Sequence, residues 1–324
     1  MPLNYPLTFE PILKERIWGG EKLTTIFKKG LPQTHIGESW ELSDVEGDVS
    51  VVSNGDLKGK SLKELIQTYQ GDLLGDKVYK AFGDNFPILI KFIDAKTPLS
   101  IQVHPNNELA KERHNSFGKN EMWYIMQTDE NAELIVGFNQ DVNQDRYIDK
   151  LESGKVLEIL NVEKIKKGDT FYIPTGRVHA IGAGVLLAEI QQTSDVTYRI
   201  YDYNRVDATT GKERELHTEL ALDAIDYTQH DTYKTSYTLK ENQSSELVYS
   251  PYFKTNIIQL KGQLFKDYKG LDSFVIYLCV EGNAKVKCGD KTYHLNLGET
   301  ILLPATIEHI ELIAEEARLL EVYL

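Results

Sequence analysis

Gln102, His104, Glu121 and His179 are the residues whose types and spacing suit a metal ion. Residues 98–125 read PLSIQVHPNNELAKERHNSFGKNEMWYI. Leu99, Ile101 and Val103 alternate with Ser100, Gln102 and His104. A strand here therefore carries Gln102 and His104 on one face, close enough to share an ion. A second strand starts near Glu121, which shares a face with Trp123 and Ile125. A carboxylate beside that aromatic, apolar run is costly to bury unless something neutralises it. His179, in GDTFYIPTGRVHAIG, adds a second imidazole. Two imidazoles and a carboxylate suit a divalent transition ion such as zinc, and an amide oxygen can complete the set. A lone strand histidine is more often hydrogen-bonded than ligating, so the expectation rests on the four residues together.

The elements that must hold these residues read as short strands with a few helices. Residues 1–57 are strands and turns; Gly19-Gly20 is a tight turn, and Trp40 and Leu42 alternate with Glu41 and Ser43. Trp18 and Trp40 read as core aromatics. Residues 61–82 read as helix, with Ser61 and Glu64 at capping-box spacing and a second short helix over 77–82. Pro87 opens the strand PILIKFIDA. ELAKERH suggests a short helix between the ligand strands, and residues 141–154 another, ended by Gly154. Val185, Leu187, Glu189 and Gln191 share one strand face, which places an acid among apolar residues. A barrel with a polar interior explains that better than a dry sandwich. Arg199 falls on a Tyr-rich strand, DVTYRIYDYNR, and residues 212–227 read as a short helix linking two halves.

An internal echo divides the chain. Gly168, Pro174, Gly176 and His179 follow the spacing G-x5-P-x-G-x2-H, and Gly298, Pro304, Thr306 and His309 repeat it with Thr for the second Gly. Two matched sets of short strands imply two related β-barrels. The expected division is 1–240 for a metal-binding catalytic domain with helical insertions and 241–324 for a second barrel. The strand DSFVIYLCV of the second barrel offers no partner ligands, so His309 reads as structural or as a relic.

The 324 residues suffice for two domains. Hydrophobic residues at 41% and charged residues at 26% are those of a globular protein. A formal charge of −13 argues against nucleic acid as a partner. An anionic small substrate requires a local convergence of Lys or Arg. No apolar run approaches a membrane span, and no basic or apolar leader follows Met1. Cys279 and Cys288 read as two reduced thiols of a cytoplasmic protein.

The ordered set SIQVHP, GKNEMWYI, GRVHAIGAG and QQTSDVTYRIYDYNR resembles the type I mannose-6-phosphate isomerases of the short bacterial kind, and G-x5-P-x-G-x2-H is similar to the second cupin motif. The resemblance runs from about Trp18 to the C-terminus. It implies a mainly β fold of two cupin-type barrels (double-stranded β-helix, or jelly roll) with short helical insertions, the second barrel degenerate. It also implies one zinc per chain and interconversion of mannose 6-phosphate with fructose 6-phosphate. Carried over by motif, the ligands are Gln102, His104, Glu121 and His179. Arg199 matches the family's active-site arginine, and Lys119, Glu189 and Asp195 match polar residues of its pocket. One departure is that Asn106 and Asn107 follow His104-Pro105, where many members have Asp or Lys; no catalytic role is assigned there.

An aldose–ketose isomerase opens the sugar ring and moves a proton between C1 and C2. A metal polarises O1 and O2 and holds the charge of the enediolate. Glu189 or a metal-bound hydroxide is the base that must reach the carbon proton. Arg199, always charged, stabilises enediolate oxygen or aids proton transfer between oxygens. Lys119 is the candidate for the phosphate, as a point charge. Asp195 is a further substrate-facing residue. The alternatives are a metal-dependent oxygenase of the same fold, for which two His and a carboxylate also suit iron, and a non-catalytic sugar-binding cupin. The Gln ligand and the basic pocket residues lean away from the oxygenase.

Overall fold

Alternating side chains define the strands, and polar caps define the helices between them. The computed structural model describes residues 3–207 and 210–324. A six-stranded sheet runs in the order Ile12–Gly20, Ile36–Leu42, Ile88–Ala95, Val185–Gln192, Glu121–Thr128, Thr170–Ile173. A five-stranded sheet faces it, in the order Tyr198–Tyr201, Ile101–Val103, His179–Ile181, Glu133–Phe138, Leu160–Lys164. Neighbouring strands in both are antiparallel. Trp123, Ile125, Leu134, Phe171 and Leu187 pack in one apolar cluster with members from both sheets. Burial of such a cluster, at roughly 25 cal/mol per Å² of apolar surface, is what holds two sheets face to face.

Asp44–Val45 and Asp48–Val49 form a small two-stranded hairpin, and the other strands form a seven-stranded sheet drawn wholly from residues 244–323. Its long strands Lys254–Asp267 and His309–Tyr323 pair along almost their whole length. The two parts are joined by packing as well as by chain: Leu7 bridges Leu302, and Asp272 accepts from the backbone N–H groups of Asp76 (2.6 Å) and Lys77 (3.1 Å) at the start of the helix Asp76–Phe82. Mainly β architecture with short helical insertions is thus observed. Among the described residues no helix is long and apolar enough to cross a membrane.

The helical stretch over 61–82, expected with a second short helix at 77–82, is three short helices: Leu62–Tyr69, Gly71–Leu74 and Asp76–Phe82. Ser61 and Glu64 form a full capping box on Leu62–Tyr69. Gln70 then takes a left-handed φ of 46°, and Gly75, at φ 91°, ends Gly71–Leu74. Asn106 caps Asn107–His114 through Leu109 N–H at 2.9 Å, so its role is structural. Residues 212–227 depart further from expectation: only Thr218–Leu222 is helical. His217 donates its N–H to Arg199 O (2.7 Å) and accepts from Arg199 N–H at Nδ1 (3.1 Å), which ties the preceding residues to a strand edge. Both cysteines are free.

Candidate metal centre and active site

Sheet register brings the chemistry-bearing residues together. His179 pairs with Gln102, and Gln102 pairs on its other side with Arg199. These three therefore stand in a row across the five-stranded sheet. His104 follows on the same face, just beyond Ile101–Val103. From the opposite sheet, Glu121 begins its strand beside Gln191, and Glu189 lies between Trp123 and Lys91. Each inward group is thus held by a strand whose other face is apolar core.

One ligand atom each from His104, Glu121 and His179 lies within 4.8 Å of the others, and all three residues are buried. His104 donates Nδ1–H to Val196 O (3.0 Å), and His179 donates Nδ1–H to Arg177 O (2.8 Å). Those bonds fix both tautomers, so both Nε2 lone pairs point inward, as in sites where a backbone carbonyl orients a ligating imidazole. Burial and, next, Lys119 push the His104 pKa down to about 3; burial also lowers His179. Both imidazoles are accordingly neutral, the form a metal needs. Burial alone would raise Glu121, but the Lys119 ammonium beside it holds it well below the usual carboxylate range. Glu121 Oε1 is buried with no hydrogen-bond donor, 3.3 Å from His179 Nε2. The Gln102 amide nitrogen is 3.3 Å from the same Nε2. An anionic oxygen without a donor, two inward lone pairs and an adjacent amide fit a divalent ion.

Lys119 is 5% exposed, with Nζ 2.7 Å from Glu121 Oε2 and 3.1 Å from His104 Nε2. Its ammonium thus lies at the end of the pocket next to the His–Glu–His group. Glu189 accepts from Trp123 Nε1 (2.9 Å) and pairs with Lys91 (3.2 Å). Burial first, then Glu121, raises its pKa. Arg199 donates from Nη1 to Glu215 O (2.7 Å), and its Nε is buried without a partner. Asp195 is exposed at the pocket wall. Lys119, Glu189, Asp195, Arg199 and Gln102 all line one cavity of about 330 Å³, within the range of small-molecule sites.

The sequence reading did not include Arg16, Glu38, Lys91 and Arg214, which line the same cavity. Trp18 and Trp40, expected in the core, are buried but also form its wall. Glu38 accepts from Trp40 Nε1 (2.6 Å) and from Arg16 (3.1 and 3.2 Å). Against the upward pull of burial, Lys91 and Arg16 bring its pKa to about 2. A signal for Lys91 did exist: it and Asp94 are the charged residues of a strand that is buried throughout.

A two-sheet barrel with a buried His–Glu–His group, reached from its pocket through the lining residues Gln102 and Lys119, defines a cupin-type fold with a candidate metal site. Residues 7–139 match the model of the phosphomannose isomerase type I catalytic domain, and residues 243–324 that of the mannose-6-phosphate isomerase cupin domain. Mannose-6-phosphate isomerase ManA of Bacillus subtilis is 38% identical over 92% of this chain and 93% of its own length. The mannose-6-phosphate isomerase of Streptococcus mutans is 33% identical over 94% and 93%. The crystal structure of mannose 6-phosphate isomerase from Bacillus subtilis superposes with a TM-score of 0.89 at 33% identity, covering 98% of this chain and 99% of that one. The chain belongs to the type I mannose-6-phosphate isomerase family, and it is an isomerase.

Proposed function

We propose that this enzyme interconverts mannose 6-phosphate and fructose 6-phosphate in the cytoplasm, with one zinc per chain held by Gln102, His104, Glu121 and His179. Residues 1–240 act as the catalytic domain and 241–324 as a cupin domain without that ligand set. The observation that carries the reading is the buried convergence of His104, Glu121 and His179 directly behind Gln102 and Lys119, which line a pocket also walled by Glu189 and Arg199.

Zinc bound there supplies Lewis acidity to the oxygens on C1 and C2. Glu189 is the base we favour. Its raised pKa makes it a stronger proton acceptor than an exposed carboxylate, and Trp123 and Lys91 fix its orientation. It takes the proton from C2 of the aldose and returns it to C1. Arg199 directs fixed positive charge at the enediolate oxygens. Its partnerless Nε provides a donor that needs no reorganisation. Lys119 sits between Glu121 and His104, which suits proton movement at the reacting end. Asp195, at the open wall, contacts sugar hydroxyls.

The test is a coupled assay of mannose 6-phosphate conversion before and after chelation, with zinc returned. Turnover that is lost with chelator and restored by zinc is expected. A fully metallated protein that turns over no mannose 6-phosphate would overturn the proposal.

A further inference from the structure

Resting on that reading, we infer that Arg214, fixed by Asp202, is the residue that recognises the phosphate of the substrate. The chain as a whole carries −13, yet the cavity wall holds five cations (Arg16, Lys91, Lys119, Arg199, Arg214) against three carboxylates (Glu38, Glu189, Asp195). The cations differ in what they have left to offer. Arg16 is committed to Glu38, Lys91 to Glu189 and Lys119 to Glu121. At Arg199 and Arg214 the positive charge is in surplus. Among the described residues the Arg199 side chain donates to a backbone carbonyl, Glu215 O, and to no carboxylate. Arg214 shares a single carboxylate, Asp202, with a second guanidinium, Arg205.

The Asp202 clamp also sets direction. Asp202 is 4% exposed and accepts from Arg214 Nε at Oδ2 (2.8 Å) and from Arg214 Nη2 at Oδ1 (2.7 Å). This two-point contact uses one edge of the guanidinium and fixes its plane, leaving the Nη1 side for another acceptor. An isolated bridge between Val206 and Glu213 carries the chain back so that Arg214 reaches the wall beside Arg199. A phosphate dianion meets two conditions there: it complements the surplus charge, and its oxygens fit a forked donor. It also leaves Lys119 to the metal end, so the two ends of the pocket hold the two ends of the sugar. Arg214 is a specificity residue in this arrangement, and Asp202 is a positioning residue that touches no substrate.

The test uses zinc-loaded wild-type enzyme, Arg214→Ala, Arg214→Gln and Arg214→Lys. For each, kcat and KM for mannose 6-phosphate are measured, with the Ki of inorganic phosphate as a competitive inhibitor. In Arg214→Ala, KM and Ki should rise together by roughly 10- to 100-fold, the range for losing one charge-assisted contact, with little change in kcat. Arg214→Lys should recover part of the loss, keeping the charge without the fork. Arg214→Gln, which retains an amide donor, carries the same test if the alanine variant does not fold. A lowered kcat with unchanged KM and Ki, or wild-type enzyme that phosphate does not inhibit, overturns the inference. Wild-type turnover is the control: its absence removes the isomerase reading itself, whereas turnover with an unchanged Ki in the variants removes only the role of Arg214.

Discussion

His179 and His309 begin equivalent strands of two related sheets and meet opposite surroundings. Both follow a glycine of positive φ, Gly168 at 90° and Gly298 at 78°. In both turns that glycine's N–H donates at 2.8 Å to the facing strand, to Ile125 O and Cys279 O respectively. Register then aligns the rest. Glu121 faces Ile173 as Val275 faces Leu303. Gln102 lies opposite His179 as Asp267 lies opposite His309. The carboxylate of the His–Glu–His group in one barrel is therefore a buried valine in the other. The His309 side chain is 65% exposed beside Asp267, where the His179 side chain is fully buried. The turn differs as well: Gly176 has φ +85°, which L side chains rarely adopt, while Thr306 has no positive φ.

One acid survives in both barrels with different company. Glu189 faces Trp123 and Lys91; Glu321 faces Tyr277 and Asn256. Glu189 borders the cavity, with an ion pair and one indole donor. Glu321 is enclosed by Lys266 (2.8 Å), Tyr268 (2.6 Å), Tyr277 (2.9 Å), Asn256 (2.9 Å) and Ser244 (2.7 Å). Every strong acceptor site on Glu321 is thus occupied. A saturated buried network stabilises a fold, and a carboxylate with fewer donors beside a cavity retains capacity to react.

Variants can break this contrast. The largest effect is expected at the histidines: His179→Ala should abolish turnover in the coupled assay, and His309→Ala should leave kcat near wild type. Arg199→Ala should lower kcat by on the order of 10² to 10³, the loss of one preorganised donor. A raised KM with unchanged kcat would instead make Arg199 a binding residue. At the shared acid position, Glu321→Ala should cost about 3 kcal/mol of stability by stranding Lys266, read by denaturant unfolding, while kcat per folded molecule holds. Glu189→Gln should do the reverse, lowering kcat with a small change in stability.

The smallest effect is in the acid limb of stability. His104 has a folded-state pKa of about 3, below its ordinary 6.5. Between those values the unfolded chain binds a proton that the folded chain refuses. Stability of the metal-free protein should therefore fall as pH drops from about 6.5 toward about 3. His104→Gln should flatten that limb in thermal melts across the interval. An unchanged slope would show that His104 is not held neutral by its burial.

The legible part of the molecule was the part written in local alternation and turn chemistry. Residues 98–104 placed Gln102 and His104 on one face because strand periodicity is local. The repeated G-x5-P spacing marked both barrels because each turn needs its glycine. Glu189 stood out as an acid in an apolar strand. Partnerships made across the sheet were not legible. Lys91, Glu38 and Arg16 come from strands far apart in sequence, and only their pairing order brings them to one wall. Residues 212–217 carry helix-forming types, yet the bonds between His217 and Arg199 draw them to a strand edge, with Arg214 turned to the pocket. Tertiary contacts outweigh a weak local propensity there.

The most direct measurement is the zinc content of chelated and reloaded protein, by elemental analysis, for wild type, His179→Ala and His309→Ala. One zinc per wild-type chain is expected, absent from His179→Ala and retained by His309→Ala. Two zinc ions per chain, or full occupancy in His179→Ala, would contradict a single metal centre in the first barrel.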